Sequence, residues 1–117
     1  MSGGTSVRKA YVKQQIKRTF PQNYEQMTKI FSCESGLDSR AVGDLTLTYK
    51  DGLTTYGASY GLAQIRSLPG RPTPSWLMDV NNNLSYAKVL YDAHGVQPWT
   101  CAKIVGASDP GHVTHSK

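Results

Sequence analysis

The sequence predicts one α+β domain, mainly helical, with a small β-hairpin set between helical parts. Three observations predict it. Helical periodicity covers both ends of the chain. An Asp-Gly turn flanked by β-branched and aromatic residues sits near the middle. The composition is 38% hydrophobic and 18% charged over 117 residues, which fits one compact globular unit with a modest core. The expected boundaries are a flexible leader over 1–6, a folded domain over 7–105 and a disordered, polar, Gly/Pro-bearing tail over 106–117.

Val7 to Thr19 carries Val12 and Ile16, with Phe20 just beyond, and polar residues between. This is an amphipathic helix stopped by Pro21. Asn23 is a candidate cap for a second helix with Tyr24, Met27, Ile30 and Phe31 on one face, closed by Gly36. Thr46–Tyr49 and Leu53–Tyr56 read as strands, with Lys50-Asp51-Gly52 as their turn. A short helix is expected over Tyr60–Arg66, then a Pro/Gly-rich loop from Pro69 to Pro74 leading to Trp76 and Leu77. Asn81-Asn82-Asn83 offers caps for the longest remaining helix, with Leu84, Ala87, Leu90 and Tyr91 on its face and Gly95 after it. Pro98 suits the opening of a last short helix through Trp99, Cys101 and Ile104.

The formal charge of +5 bears on partners rather than on fold. Its one dense group, Arg8, Lys9, Lys13, Lys17 and Arg18, reads as the solvated face of the first helix. No nucleic-acid motif accompanies it, so no nucleic-acid partner is expected. Membrane insertion is not expected either, since no run of eighteen apolar residues occurs. The opening Met1–Ser6 lacks the apolar core of an export signal. The two cysteines, Cys33 and Cys101, form no CxxC pair, so no metal is expected. Two readings stand for them: one disulfide closing a long loop, or two buried thiols.

Glu34 is the candidate general acid. It follows the mostly apolar Ile30-Phe31-Ser32-Cys33 and precedes a Ser35-Gly36 break. A carboxyl emerging from a packed helix end resists ionisation twice over, through desolvation and through the negative end of the helix dipole. A proton held near neutral pH is what general acid catalysis requires.

Four segments in order then resemble the soluble lytic transglycosylase/lysozyme-like family: Cys33-Glu34-Ser35-Gly36-Leu37, Ala41-Val42, Tyr60-Gly61-Leu62-Ala63-Gln64-Ile65 and Asp79-Val80-Asn81-Asn82-Asn83-Leu84. The likeness spans residues 22–105. It implies a lysozyme-like fold and cleavage of peptidoglycan at the β-1,4 bond between N-acetylmuramic acid and N-acetylglucosamine. It also implies Glu34 as the catalytic residue, Ser35 beside it, and Tyr60, Gly61 and Gln64 along the cleft. Asn83 is either a substrate contact or a helix cap. No cofactor is implied. The protein is expected to be a monomer working outside the cytoplasm on glycan strands, in the cell wall, the periplasm or the medium. It would arrive there after removal of a signal or by phage delivery.

Two departures from the family shape the expected mechanism. Animal C-type lysozymes, which this chain resembles in outline, place an aspartate where Ser59 stands here. A retaining double displacement needs two carboxyl groups about 5–5.5 Å apart, so Ser59 argues against that route. A single-glutamate mechanism remains, in which Ser59 lines the substrate site. The alternative is an inverting enzyme with Asp44 or Asp51 as second carboxylate at about 6.5–9.5 Å. Asp51 also fits as a plain turn-former, and a non-catalytic glycan binder is a further alternative. The chain also lacks the Ala-Tyr-Asn-Ala-Gly segment of many transglycosylases. Trp99 is a candidate apolar wall for Glu34, or ordinary core. Tyr56, Tyr86 and Tyr91 are candidates for the missing tyrosine, with Tyr91 in core phase. Trp76 is a sugar platform or a core plug.

Overall fold

A computed structural model describes residues 2–107, with backbone alone for residues 2–7. Its elements are α1 (Ser2–Thr19), α2 (Tyr24–Ser35), β1 (Val42–Gly43), a 3₁₀ turn (Leu45–Leu47), β2 (Tyr49–Asp51) and β3 (Thr54–Tyr56). There follow β4 (Ser59–Tyr60), β5 (Ile65–Arg66), α3 (Pro74–Leu77), α4 (Val80–His94) and α5 (Cys101–Ile104). Helices and two small antiparallel sheets make an α+β fold.

The core is helical. Val12, Ile16 and Phe20 recur every fourth residue along one side of α1 and are all buried, while Arg8, Lys9, Lys13, Lys17 and Arg18 lie exposed. Met27, Ile30 and Phe31 of α2 and Leu84, Ala87 and Leu90 of α4 close on that stripe. Edge-on aromatic contacts run through the centre: Phe20 meets Tyr91 at 5.5 Å and Phe31 at 6.0 Å, and Phe31 meets Trp99 at 5.8 Å. Each such pair adds about 1 kcal/mol beyond its buried area. Among the described residues no helix is long and apolar enough to cross a membrane.

Several expectations need correction. The backbone of α1 extends to Ser2, so residues 2–6 continue the helix instead of forming a flexible leader. Once a nucleus exists, each added residue gains a hydrogen bond, and weak helix formers such as Gly3 and Gly4 can be carried along. In the hairpin, Asp51 pairs with Thr54, so the turn is Gly52-Leu53 and the strands are shorter than predicted. Thr46 lies in the 3₁₀ turn. The Tyr60–Arg66 segment is not helical. Ser59 pairs with Arg66 and Tyr60 with Ile65 across a four-residue connection, and β1 pairs with the other edge of β4. Gly61 and Gln64 both have positive φ, at 78° and 52°, which a helix does not accommodate. The cap of α4 is Asp79, whose carboxylate accepts from Asn82 N–H at 2.9 Å, and not the asparagine run. The last helix begins at Cys101, so Pro98 and Trp99 precede it. Gly106 and Ala107 stay on the domain, with Ala107 N–H donating to Ala102 O at 2.8 Å; the remainder of the expected tail, 108–117, lies outside the described residues.

Cys33 and Cys101 are joined, with Cα atoms 5.9 Å apart across 68 positions of sequence. Closing a loop of that length restricts the unfolded chain by about 4 kcal/mol in the entropic model. We therefore predict that a double Cys33→Ala, Cys101→Ala variant loses about 4 kcal/mol in urea unfolding. An unchanged unfolding free energy would show that the bridge contributes no net stability.

Candidate functional site

A cleft of about 390 Å³ opens between the end of α2, the three-stranded sheet and the segment before α5. That volume is within the range of small-ligand sites. Glu34, Asp44, Ser59, Gln64 and Trp99 line it together. Two further side chains, Arg66 and Arg71, share the same space.

Glu34 sits in the last turn of α2, half-buried, two residues before Gly36 ends the helix in a left-handed cap. The Cys101 N–H donates to its Oε2 at 3.0 Å. Among the described residues Oε1 has no hydrogen-bond partner, so one oxygen is anchored and the other is open for proton transfer. Burial pushes the carboxyl above its ordinary range. The Cys101 N–H works against that shift, and the negative charge of Asp44 adds to it. The outcome is an acid that keeps its proton at higher pH than an exposed glutamate does.

Asp44 reaches the cleft from an unusual backbone, with φ 56° at the start of the 3₁₀ turn. Its Oδ2 accepts from Ser59 Oγ at 2.5 Å, and Ser59 is buried in β4. Ser59 thus positions a carboxylate instead of supplying one. Asp51 lies at the exposed hairpin turn, outside the cleft lining, and has the turn-forming place. Gln64 is the second left-handed residue of the cleft. Its Nε2 donates to Ala41 O at 3.1 Å and Gly61 O at 3.0 Å. Such conformations cost about 1 kcal/mol or more each and persist where surrounding bonds fix them.

Four expected site residues hold the scaffold and do not line the cleft. Ser35 Oγ donates to Leu62 O at 2.6 Å and makes no bond to the Glu34 carboxyl, because the hydroxyl ties α2 to the β4–β5 connection. Asn83 is fully buried inside α4, as neither cap nor substrate contact. Its Oδ1 accepts from Ala63 N–H at 2.8 Å, and its Nδ2 donates to Tyr60 O and Leu77 O, both at 2.9 Å. Gly61 is required beside it, since a Cβ there would collide with Asn83 Nδ2 and Leu77 O. Tyr60 contributes its carbonyl to this network, and its ring packs against the core.

Trp99 is a core residue that also reaches the cleft. It is buried against Phe31, its Nε1 donates to Ala63 O at 2.9 Å, and its surface forms part of the cleft wall. Of the tyrosines, Tyr91 packs on Phe20 and accepts from Asn23, Tyr56 packs against Tyr49, and Tyr86 lies under Arg71. None of the three lines the cleft. Trp76 is 39% exposed in α3, also away from it. The arginines were missed by the sequence reading. Their signal was the Arg66…Arg71 spacing just past Gln64, in a stretch read only as helix end and loop. Among the described residues no group of three or more His, Cys, Asp or Glu side chains could hold a metal ion.

Asn83→Leu removes the side-chain bonds to two carbonyls and one N–H and lowers unfolding stability by about 3 kcal/mol or more. Urea unfolding at neutral pH measures it, and a loss below about 1 kcal/mol would refute the network's importance. For Glu34, the folded-state pKa is raised, so its contribution to stability is full in acid and is lost as pH climbs through that raised value. Glu34→Gln should remove this part of the stability–pH curve, and Asp44→Asn should lower the Glu34 pKa followed by carboxyl NMR. A Glu34 titration unmoved by Asp44→Asn would contradict the electrostatic link. The sequence matches no family model, no curated protein and no solved structure.

Proposed function

We propose that this chain is a lysozyme-like domain that cleaves peptidoglycan strands at the N-acetylmuramic acid–β-1,4–N-acetylglucosamine bond, with Glu34 as general acid and base. The observation that carries the reading is a half-buried glutamate with a raised pKa, anchored through one oxygen, on the wall of a ligand-sized cleft. The four ordered motifs around Glu34, Val42, Gln64 and Asn83 support it independently.

Protonated Glu34 gives its proton to the glycosidic oxygen as the C1–O bond breaks. The carbonyl oxygen of the substrate's own N-acetyl group bonds to C1 and carries the positive charge that develops there. The Glu34 carboxylate then takes a proton from the attacking hydroxyl, whose oxygen bonds to C1 as the bond from C1 to the N-acetyl oxygen breaks. If that hydroxyl is the muramoyl 6-OH, the product is a 1,6-anhydro sugar; if it is water, the product is a reducing end. The basic surface draws the domain to an anionic wall, an attraction weakened by salt.

A specific observation favours a second route that omits the N-acetyl step. Asp44 lines the same cleft and is held by Ser59, so a water beside Asp44 would lose a proton to it while attacking C1 from the face opposite the leaving group as Glu34 protonates that group, giving inverting hydrolysis. Mass spectrometry of the fragments from purified cell walls separates anhydro from hydrolysed products, and proton NMR of the new reducing-end anomer, read before it mutarotates, separates retaining from inverting hydrolysis. The anhydro product is lighter by one water. The expected result is wall clearing by the wild type and none by Glu34→Gln, with the fold retained. Clearing by Glu34→Gln at wild-type rate would overturn the proposal, and wild-type binding without clearing would leave a glycan-binding module in its place.

A further inference from the structure

We infer that Arg66 and Arg71 form a carboxylate-binding subsite within the Glu34 cleft, which recognises an acidic substituent on the glycan. The inference rests on the reading of the cleft as a glycan site. Arg66 leaves β5 half-buried, and its Nε donates to Gly57 O at 3.0 Å. Arg71 follows in the loop; its Nη1 donates to Arg66 O at 3.2 Å and its guanidinium lies 5.9 Å from the centre of the Tyr86 ring. Both side chains are therefore oriented by one backbone carbonyl each. Among the described residues the Nη groups of Arg66 and the Nε and Nη2 of Arg71 have no hydrogen-bond partner.

Neither guanidinium is ion-paired among the described residues, where the one salt bridge joins the exposed Lys88 and Asp92 of α4. Glu34 and Asp44 line the same cleft as the arginines without pairing to them. Two half-buried cations thus face a ligand-sized space with planar N–H forks unengaged. A planar fork matches a carboxylate through two parallel hydrogen bonds, and partial desolvation strengthens the match. A neutral sugar ring offers no such group. A muramoyl strand offers two: the lactyl carboxyl, free where the peptide has been removed, and the carboxyls of an attached stem peptide. The cleft then divides its work by charge, with acids acting on the glycosidic bond and arginines holding an acidic branch.

Binding to the cleavage-deficient Glu34→Gln protein tests this by calorimetry. The probes are peptide-stripped glycan strands, peptide-bearing strands, and each of these with its carboxyls converted to methylamides beforehand. Masking the carboxyls should weaken binding about ten-fold, the equivalent of one charge-assisted contact. The strand type that shows the loss identifies the source, lactyl or stem. Adding Arg66→Gln and Arg71→Gln should bring the effect of masking below about two-fold, with affinity for the masked strand unchanged as the check on folding. If the double change unfolds the domain, Arg71→Gln alone gives the comparison, since it leaves the Arg66–Gly57 bond in place. Equal masking effects with and without the arginines, or none in either, overturn the subsite. Wild-type clearing of walls is measured alongside. Clearing without a masking effect removes the subsite and keeps the glycosidase. An arginine-dependent masking effect without clearing keeps the subsite and removes the glycosidase. Absence of both removes both.

Discussion

The short connection from Gly61 to Gln64 takes its shape from a single buried amide. Asn83, itself fully buried, reaches out of α4 and engages Tyr60 O, Ala63 N–H and Leu77 O, using its donors and its acceptor. The same connection is held from two other directions, by Ser35 on Leu62 O and by Trp99 on Ala63 O. Three other parts of the chain therefore meet on this four-residue connection. Polar groups buried this deeply are costly when any partner is missing, so the arrangement is nearly all-or-none. Gln64, Ser59 and the Trp99 wall keep their places in the cleft because this junction does.

Glu34 stands in a balance of opposed influences. Burial and Asp44 favour the protonated carboxyl, while the Cys101 N–H favours the ionised one. The proposed double duty as acid and base would be served by such opposition, because neither form is disabled. Ser59 belongs to this balance at one remove. It fixes where the Asp44 charge sits, and so how strongly that charge is felt by Glu34. The position that first read as a missing carboxylate is instead the clamp for a carboxylate from another loop.

Much of the helical frame was legible in the sequence, because Val12, Ile16 and Phe20, or Leu84, Ala87 and Leu90, bury at helical spacing and leave a periodic trace. The hairpin's existence was legible and its register was not, since Gly52 can sit at either central position of a tight turn. Tyr60–Arg66 misled because a short apolar run carries no decisive period; the left-handed φ of Gln64 has no sequence mark. At the site, Glu34 was visible from its local context. Asn83 was visible as a position but not as a role, since a buried amide and a helix cap are written with the same residue. Asp44 was visible as one of two candidate carboxylates; choosing it over Asp51, like finding the arginines, depends on which loops fold over the cleft, and that is tertiary information.

The Cys33–Cys101 bridge has a topological consequence. Residues 33 to 101 form a closed covalent ring, and Glu34, Asp44, Ser59, Gln64, Arg66, Arg71 and Trp99 are all links in it. Helix α1 hangs outside that ring, attached through the chain, by packing and by the hydrogen bond that Asn81 Nδ2 donates to Tyr11 OH at 3.3 Å. A single peptide cut at the hairpin tip, where Leu53 is fully exposed, would open the ring without separating it, so both walls of the cleft would remain one molecule. Two cuts within the ring would be needed to release any piece of it.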